Sequence, residues 1–208
     1  MAFRAGWSVP LCALALLLAC KVHAQSGPSA TTGAATDATP VTCLPDGNGF
    51  LRARLRGTID SDLDWSNAGT ECTGAVRPDG GIRMRFSHVA SEKGERLVLV
   101  FGMAQLREGK SAKNLRVNLT VFREGSGEFF STRGDDKCMM DEVAQTPLVG
   151  IPYRERSYRV VVRGFCTGPA RAVSGAGAVY ISRFDYAGRV DFASTDPTSD
   201  EALEATRK

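Results

Sequence analysis

From Leu51 to Trp65 apolar and polar residues alternate without a break. The odd positions are Leu51, Ala53, Leu55, Gly57, Ile59, Ser61, Leu63 and Trp65; the even ones are Arg52, Arg54, Arg56, Thr58, Asp60, Asp62 and Asp64. A repeat of two is the mark of a strand with one buried face, and no helical template fits it. Gly57 marks either a bend in one long strand or the turn of a hairpin. A hairpin centred on Gly57 sets Arg54 opposite Asp60 and Arg52 opposite Asp62, whereas a bent strand simply keeps the same faces.

The same texture continues downstream. Pro78-Asp79-Gly80-Gly81 is turn chemistry leading into the alternating Ile82–Phe86. Leu97–Phe101 is continuously apolar, as a strand covered on both faces would be. Leu115, Val117, Leu119 and Val121 alternate with polar neighbours, and further strands are predicted over 127–132, 138–145, 157–165, 177–186 and 189–193. Turn residues at Gly125-Ser126-Gly127, Gly134-Asp135-Asp136 and Ala187-Gly188 separate them. Eight to ten short strands without a convincing helix predict an all-β domain. The architecture is an antiparallel β-sandwich or jelly roll, with a closed β-barrel as the alternative.

The N-terminus is of a different kind. Arg4 followed by the apolar run Leu11–Ala19 reads as a signal peptide over residues 1–24, with cleavage after Val22-His23-Ala24. The alternative is a lipobox at Leu17-Leu18-Ala19-Cys20, which would make Cys20 a lipidated first residue and tether the protein to a membrane. Residues 25–41 are small and polar and read as a flexible linker. Residues 42–193 form a single β domain, and 194–208 a flexible acidic tail. The apolar run is too short for a transmembrane segment, and no later stretch approaches the required length. The expected location is therefore outside the cytoplasm, periplasmic or secreted, or membrane-anchored if Cys20 is acylated.

This partition changes the cysteine count. Of six cysteines, Cys12 and Cys20 belong to the leader, leaving Cys43, Cys72, Cys138 and Cys166. None forms a C-x-x-C pair, and an even number in an exported chain reads as two disulfides. Cys43 and Cys72 flank the 50–65 segment, while Cys138 opens one predicted strand and Cys166 closes the next. The favoured pairing is therefore Cys43–Cys72 and Cys138–Cys166.

Charge and composition narrow the chemistry. The formal charge of +3 includes Arg4 and Lys21 of the leader, so the mature chain is close to neutral and carries no broad field for nucleic acid. His88 is the one histidine outside the leader, which excludes multi-histidine metal sites and leaves any serine triad dependent on it; it reads as an ordinary surface histidine. No phosphate-binding or dinucleotide-binding glycine motif is present, and no metal or cofactor is expected. Asp60, Asp62 and Asp64 share one strand face and could supply half of a cation site. Trp65 stands where a calcium loop needs glycine, so a solvated face neutralised by Arg52 and Arg54 is the plainer expectation.

A second acidic cluster, Asp135, Asp136, Asp141 and Glu142, could serve glycoside hydrolysis if two acids were held at a suitable spacing. Arginine outnumbers lysine within 42–193, and its planar fork suits carboxylate, phosphate or sulfate ligands. Tyr180, Phe184 and Tyr186 fall on one face of a predicted strand with Val179 and Ile181 on the other. The aromatic face is the plainer candidate for the core; the alternative buries Val179 and Ile181 and leaves an exposed aromatic stripe of the kind that stacks on sugars. The expected role is a binding or structural protein of the cell envelope, its partner an envelope glycan or protein. The alternative is a carboxylate-dependent glycoside hydrolase acting on envelope or extracellular polysaccharide.

Overall fold

The computed structural model describes residues 42–89, 95–150 and 156–192. The leader with Cys20, the linker up to residue 41 and the tail beyond 192 lie outside them. Eleven strands follow in chain order: β1 Phe50–Gly57, β2 Ser61–Ser66, β3 Thr70–Val76, β4 Ile82–Val89, β5 Arg96–Met103 and β6 Ala112–Arg123; then β7 Phe129–Ser131, β8 Cys138–Pro147, β9 Ser157–Cys166, β10 Ala170–Ala172 and β11 Ala178–Asp191. Of the architectures expected, the closed barrel is the one formed. Its wall runs β3-β4-β5-β6-β8-β9-β11, every neighbour antiparallel until β11 returns beside β3 in parallel, with Asp191 opposite Ala75.

The seam depends on Gly74, where a Cβ would come within 2.5 Å of the Arg189 carbonyl oxygen and 2.7 Å of Val190 Cγ2. Only a residue without a side chain lets the two strands approach there. Closing the sheet pairs both sides of each of these seven strands, which leaves the barrel itself no edge to pair with other chains.

The remaining strands extend the wall. The β1–β2 hairpin adds to β11 through β1. Short β7 pairs with β6, and β10 joins β7 to β11. The hairpin, rather than one bent strand, is what the 50–65 segment forms. Its centre is Thr58, so Arg54 faces Asp62 and Arg52 faces Asp64, one acid further on than a hairpin centred on Gly57 would give.

The barrel interior is filled, not hollow. Phe86, Phe101, Phe184 and Tyr186 pack with ring centroids 4.7–6.5 Å apart and are each fully buried. Such tilted and edge-on contacts are the arrangement aromatic quadrupoles prefer. The expected turn at Ala187-Gly188 does not exist: β11 runs through it as a single strand of 14 residues. Gly188 serves packing instead, since a Cβ there would meet Met84 Cε and Phe86 Cζ at 2.8 Å. Strands β3 and β10, absent from the sequence-based expectation, complete the circuit.

Both expected disulfides are present, Cys43–Cys72 and Cys138–Cys166. The second joins residues directly opposite each other on β8 and β9. The first anchors the segment leading into β1 against β3, where Asn67 also holds it. The Asn67 Oδ1 accepts from the amides of Leu44 and Gly49 at 2.8 and 2.9 Å, and its Nδ2 donates to the Leu44 carbonyl at 3.0 Å.

Candidate functional site: the outer face of the β1–β11 sheet

Side chains alternate along a strand, so the residues that leave the core at each position of β2, β1, β11, β9 and β8 form rows across the outer wall. One row reads Asp64, Arg52, Asp185, Arg163, Glu142 and Lys113, each directly opposite the next. Its charges alternate in sign over six strands. The adjacent row places Phe50, Ala187, Val161 and Ala144 side by side, a strip of apolar and small residues. The Arg52 guanidinium lies 5.0 Å above the Phe50 ring and ties the two rows together.

Alternation of charge fails where Arg54 of β1 stands opposite Arg183 of β11, and again where Arg159 of β9 stands opposite Arg189. A β-bulge adjoins the first pair: the register runs unbroken from Phe50–Ala187 to Arg54–Arg183 and then shifts, so that Leu55 pairs with Ile181 and Ser182 is left without a partner. Two residues of β11 thus oppose one position of β1, and both Ser182 and Arg183 turn outward. A shallow groove of about 340 Å³ opens here, bordered by Arg52, Arg54, Asp62, Ser182, Arg183 and Asp185. A second, of about 310 Å³, adjoins it across Arg52 and Asp185 and runs over Phe50, Val161 and Arg163 toward Glu142.

The bulge corrects the sequence-based view of β11. Strict alternation puts Tyr180, Phe184 and Tyr186 on one face, but the extra residue shifts the phase between them. Phe184 and Tyr186 are wholly buried, together with Val179 and Ile181, and Tyr180 alone is outside, 55% exposed. Phe184 and Tyr186 are thus core, and of the alternative exposed stripe only the Tyr180 ring is outside, opposite Arg56.

Asp60, Asp62 and Asp64 are exposed on the β1–β2 hairpin, Asp62 alone bordering the shallow groove, and each has an arginine partner. Arg52 reaches Asp64 at 2.9 Å, Arg56 reaches Asp62 at 2.9 Å and Asp60 at 3.6 Å, and Arg54 stands 3.4 Å from Asp62. Among the described residues no three His, Cys, Asp or Glu side chains converge as a metal-ligand set. The other acidic cluster is not gathered. Asp136 in the loop before β8 pairs with Lys137, whose hydrogen bond holds its carboxyl below the usual range. Asp141 sits at a bulge of β8, and Glu142 belongs to the charged row.

Two other features of the wall compete for attention. On the β3–β4–β5 face Arg85, Arg96, Glu71, Glu124 and Ser87 close on one another: Arg96 bonds Glu71 at 2.7 Å, Ser87 donates to Glu71 at 3.0 Å, and Arg85 bonds Glu124. That network pairs its charges internally, although the buried Arg96 Nε makes no hydrogen bond and lies 3.7 Å from Glu124. A hollow of about 510 Å³ beside Gly80, Gln105, Leu106 and Arg107 is lined by one charged side chain. Glu108, held below the ordinary carboxylate range by hydrogen bonds from Arg156, lines neither groove. His88 stacks on Trp65 with ring centroids 5.2 Å apart, half-buried on the wall.

No protein-family model, curated protein or solved structure matches the chain. Its class is therefore defined by its own features: a disulfide-bonded all-β barrel with a filled interior and a charged, grooved outer face. Among the described residues no helix is long and apolar enough to cross a membrane.

Proposed function

We propose that this is an exported binding protein of the cell envelope that carries out no chemistry on its ligand, and that the outer face of β2-β1-β11-β9-β8 is its binding surface. The observation that carries the proposal is the shape of that face. A hydrolase using two carboxylates needs them facing each other across a cleft that holds the scissile bond. The grooves here are shallow; Asp62 and Asp185 border one of them on different strands, each beside arginines, with an arginine pair between them. Flat, polar, arginine-lined surfaces suit recognition rather than bond cleavage. Two disulfides fit an oxidising compartment, and the leader fits export, with cleavage before Gln25 or, in the alternative, acylation at Cys20.

One experiment separates binding from hydrolysis. Purified protein is incubated with isolated envelope polysaccharide; the polysaccharide is then sedimented and the supernatant assayed for new reducing ends. Co-sedimentation without reducing ends is the expected result. Release of reducing ends, abolished by Asp62→Asn or Glu142→Gln, would establish the hydrolase instead. Failure to sediment with any envelope fraction would remove the glycan-binding form of the reading.

A further inference from the structure

We infer that the groove at the β11 bulge holds a carboxylate of an acidic oligosaccharide between Arg54 and Arg183, with the sugar chain lying across β11 along the neighbouring groove. The inference rests on the binding reading above and gives it a ligand class. Three independent features of the wall meet at this point.

The first is an electrostatic defect. Like charges directly opposite on neighbouring strands destabilise a sheet, and the adjoining row alternates its charges across six strands. Two arginine pairs on this face depart from that rule, Arg159–Arg189 and Arg54–Arg183. Arg159 reaches the Asn48 carbonyl and Arg189 lies 3.5 Å from Asp191, whereas the pair that borders the groove is compensated poorly. Asp62 is engaged at 2.9 Å by Arg56, leaving Arg54 at 3.4 Å. Asp185 is shared by Arg163 at 3.9 Å and Arg183 at 3.8 Å, both too long for hydrogen bonds. The guanidinium forks therefore keep donors available for a planar anion, which a carboxylate between them would satisfy in two-point contacts.

The second feature is the bulge. A regular strand would place one outward residue between Ile181 and Phe184; the bulge places two, and both border the groove. Bulges re-aim side chains and gather next to functional sites. Here the bulge adds Ser182 to the concavity that Arg52, Arg54 and Arg183 border.

The third is what flanks the arginines. Tyr180 stands exposed two residues before Ser182, and the Phe50–Val161 strip floors the second groove. Apolar ring and strip on either side of a cationic pair match a sugar chain, which offers C–H faces between its charged groups. From β2 to β8 the trough crosses four strand spacings, about 19 Å at 4.8 Å each, long enough for an oligomer rather than a single small anion.

The test is calorimetric titration of the full chain with tetragalacturonate, with maltotetraose as the neutral oligomer and inorganic sulfate as the free anion, at low and physiological salt. The Arg54→Gln/Arg183→Gln variant is compared with Arg107→Gln/Arg116→Gln, which removes equal charge from outside the grooves; circular dichroism checks that both remain folded. Tetragalacturonate should bind with salt-sensitive affinity, sulfate and maltotetraose more weakly. The groove variant should lose about tenfold or more and the control less than about twofold. Equal losses in the two variants would mean diffuse electrostatics and overturn the site, as would an unchanged groove variant. Sulfate binding as tightly as the oligomer would reduce the site to a free-anion pocket. Binding of maltotetraose as tight as that of tetragalacturonate would overturn the acidic class while leaving a glycan-binding protein, and binding of none of the three would overturn the inference while leaving the envelope-binding reading to its own assay.

Discussion

Replacing Asn67 with alanine should be among the most damaging single polar substitutions in the domain, for reasons that can be counted. Asn67 is 8% exposed, and the residues it serves, Leu44 and Gly49, are buried. Its side chain satisfies three backbone groups of the segment entering β1: the Leu44 and Gly49 amides and the Leu44 carbonyl, at 2.8, 2.9 and 3.0 Å. Alanine leaves the two amides without a partner, while the Leu44 carbonyl keeps the Gly47 amide at 3.2 Å; a buried unsatisfied polar group costs about 1–3 kcal/mol. Partial relief by water puts the sum near the low end, about 2 kcal/mol. With a urea m-value of about 2 kcal/mol/M, the unfolding midpoint should fall by about 1 M. The assay is equilibrium urea unfolding followed by Trp65 fluorescence with disulfides intact. Asn67→Asp keeps the acceptor oxygen but cannot donate to the Leu44 carbonyl, so it should fall between wild type and Asn67→Ala. A loss below about 1 kcal/mol for alanine would refute the argument, because it would mean that the segment is held by the Cys43–Cys72 bond alone.

Other outcomes follow from the same coordinates. Arg183→Gln relieves the cross-strand repulsion with Arg54 and gives up only a 3.8 Å contact to Asp185, so stability should hold or rise by about 0.5 kcal/mol; a loss above about 1 kcal/mol in urea unfolding would make Arg183 a structural residue. Tyr186 is fully buried with only Met103 Sδ, at 4.0 Å, beside its hydroxyl, and burial pushes its phenol well above the ordinary tyrosine range. Its folded form therefore keeps a proton that the unfolded chain sheds near pH 10, so stability is flat below that pH and falls above it by up to about 1.4 kcal/mol per pH unit. Tyr186→Phe should flatten that decline in urea titrations between pH 9 and 11.5; parallel declines would remove Tyr186 as its cause. The disulfides span 29 and 28 residues, and chain entropy assigns each about 3.6 kcal/mol. Pairwise Cys→Ser replacement should lower stability by that order in each case, and non-reducing peptide mapping that linked Cys43 to Cys138 or Cys166 would contradict the fold.

Much of this wall was legible because most strands oppose one residue with one. Alternation then names the faces directly, as it did for Leu51, Ala53, Leu55, Leu63 and Trp65, all of which point inward. Cysteine position was legible for the same reason: strand ends that meet can be bonded. Burial of Phe184 and Tyr186 agrees with the plainer reading of β11, but the single face assigned to Tyr180, Phe184 and Tyr186 does not hold, because a bulge inserts a residue without leaving a gap in composition. Serine is at home in a strand or a turn, and nothing about Ser182 announces that it lacks a partner.

The signal was nonetheless present one level up. Val179 and Ile181 are in phase with each other, and Phe184 and Tyr186 are in phase with each other, but the two pairs are three residues apart and so out of phase. A regular strand can bury one pair or the other. An interior large enough to require Phe86 and Phe101 requires both, and the least disruptive way to bury both is to add a residue between Ile181 and Phe184. The extra residue, Ser182, then has to go outward, next to Arg183, which the unbroken register from Phe50 to Arg54 sets opposite Arg54. The demand that four apolar side chains of β11 be buried thus adds Ser182 to the groove that the arginine pair borders.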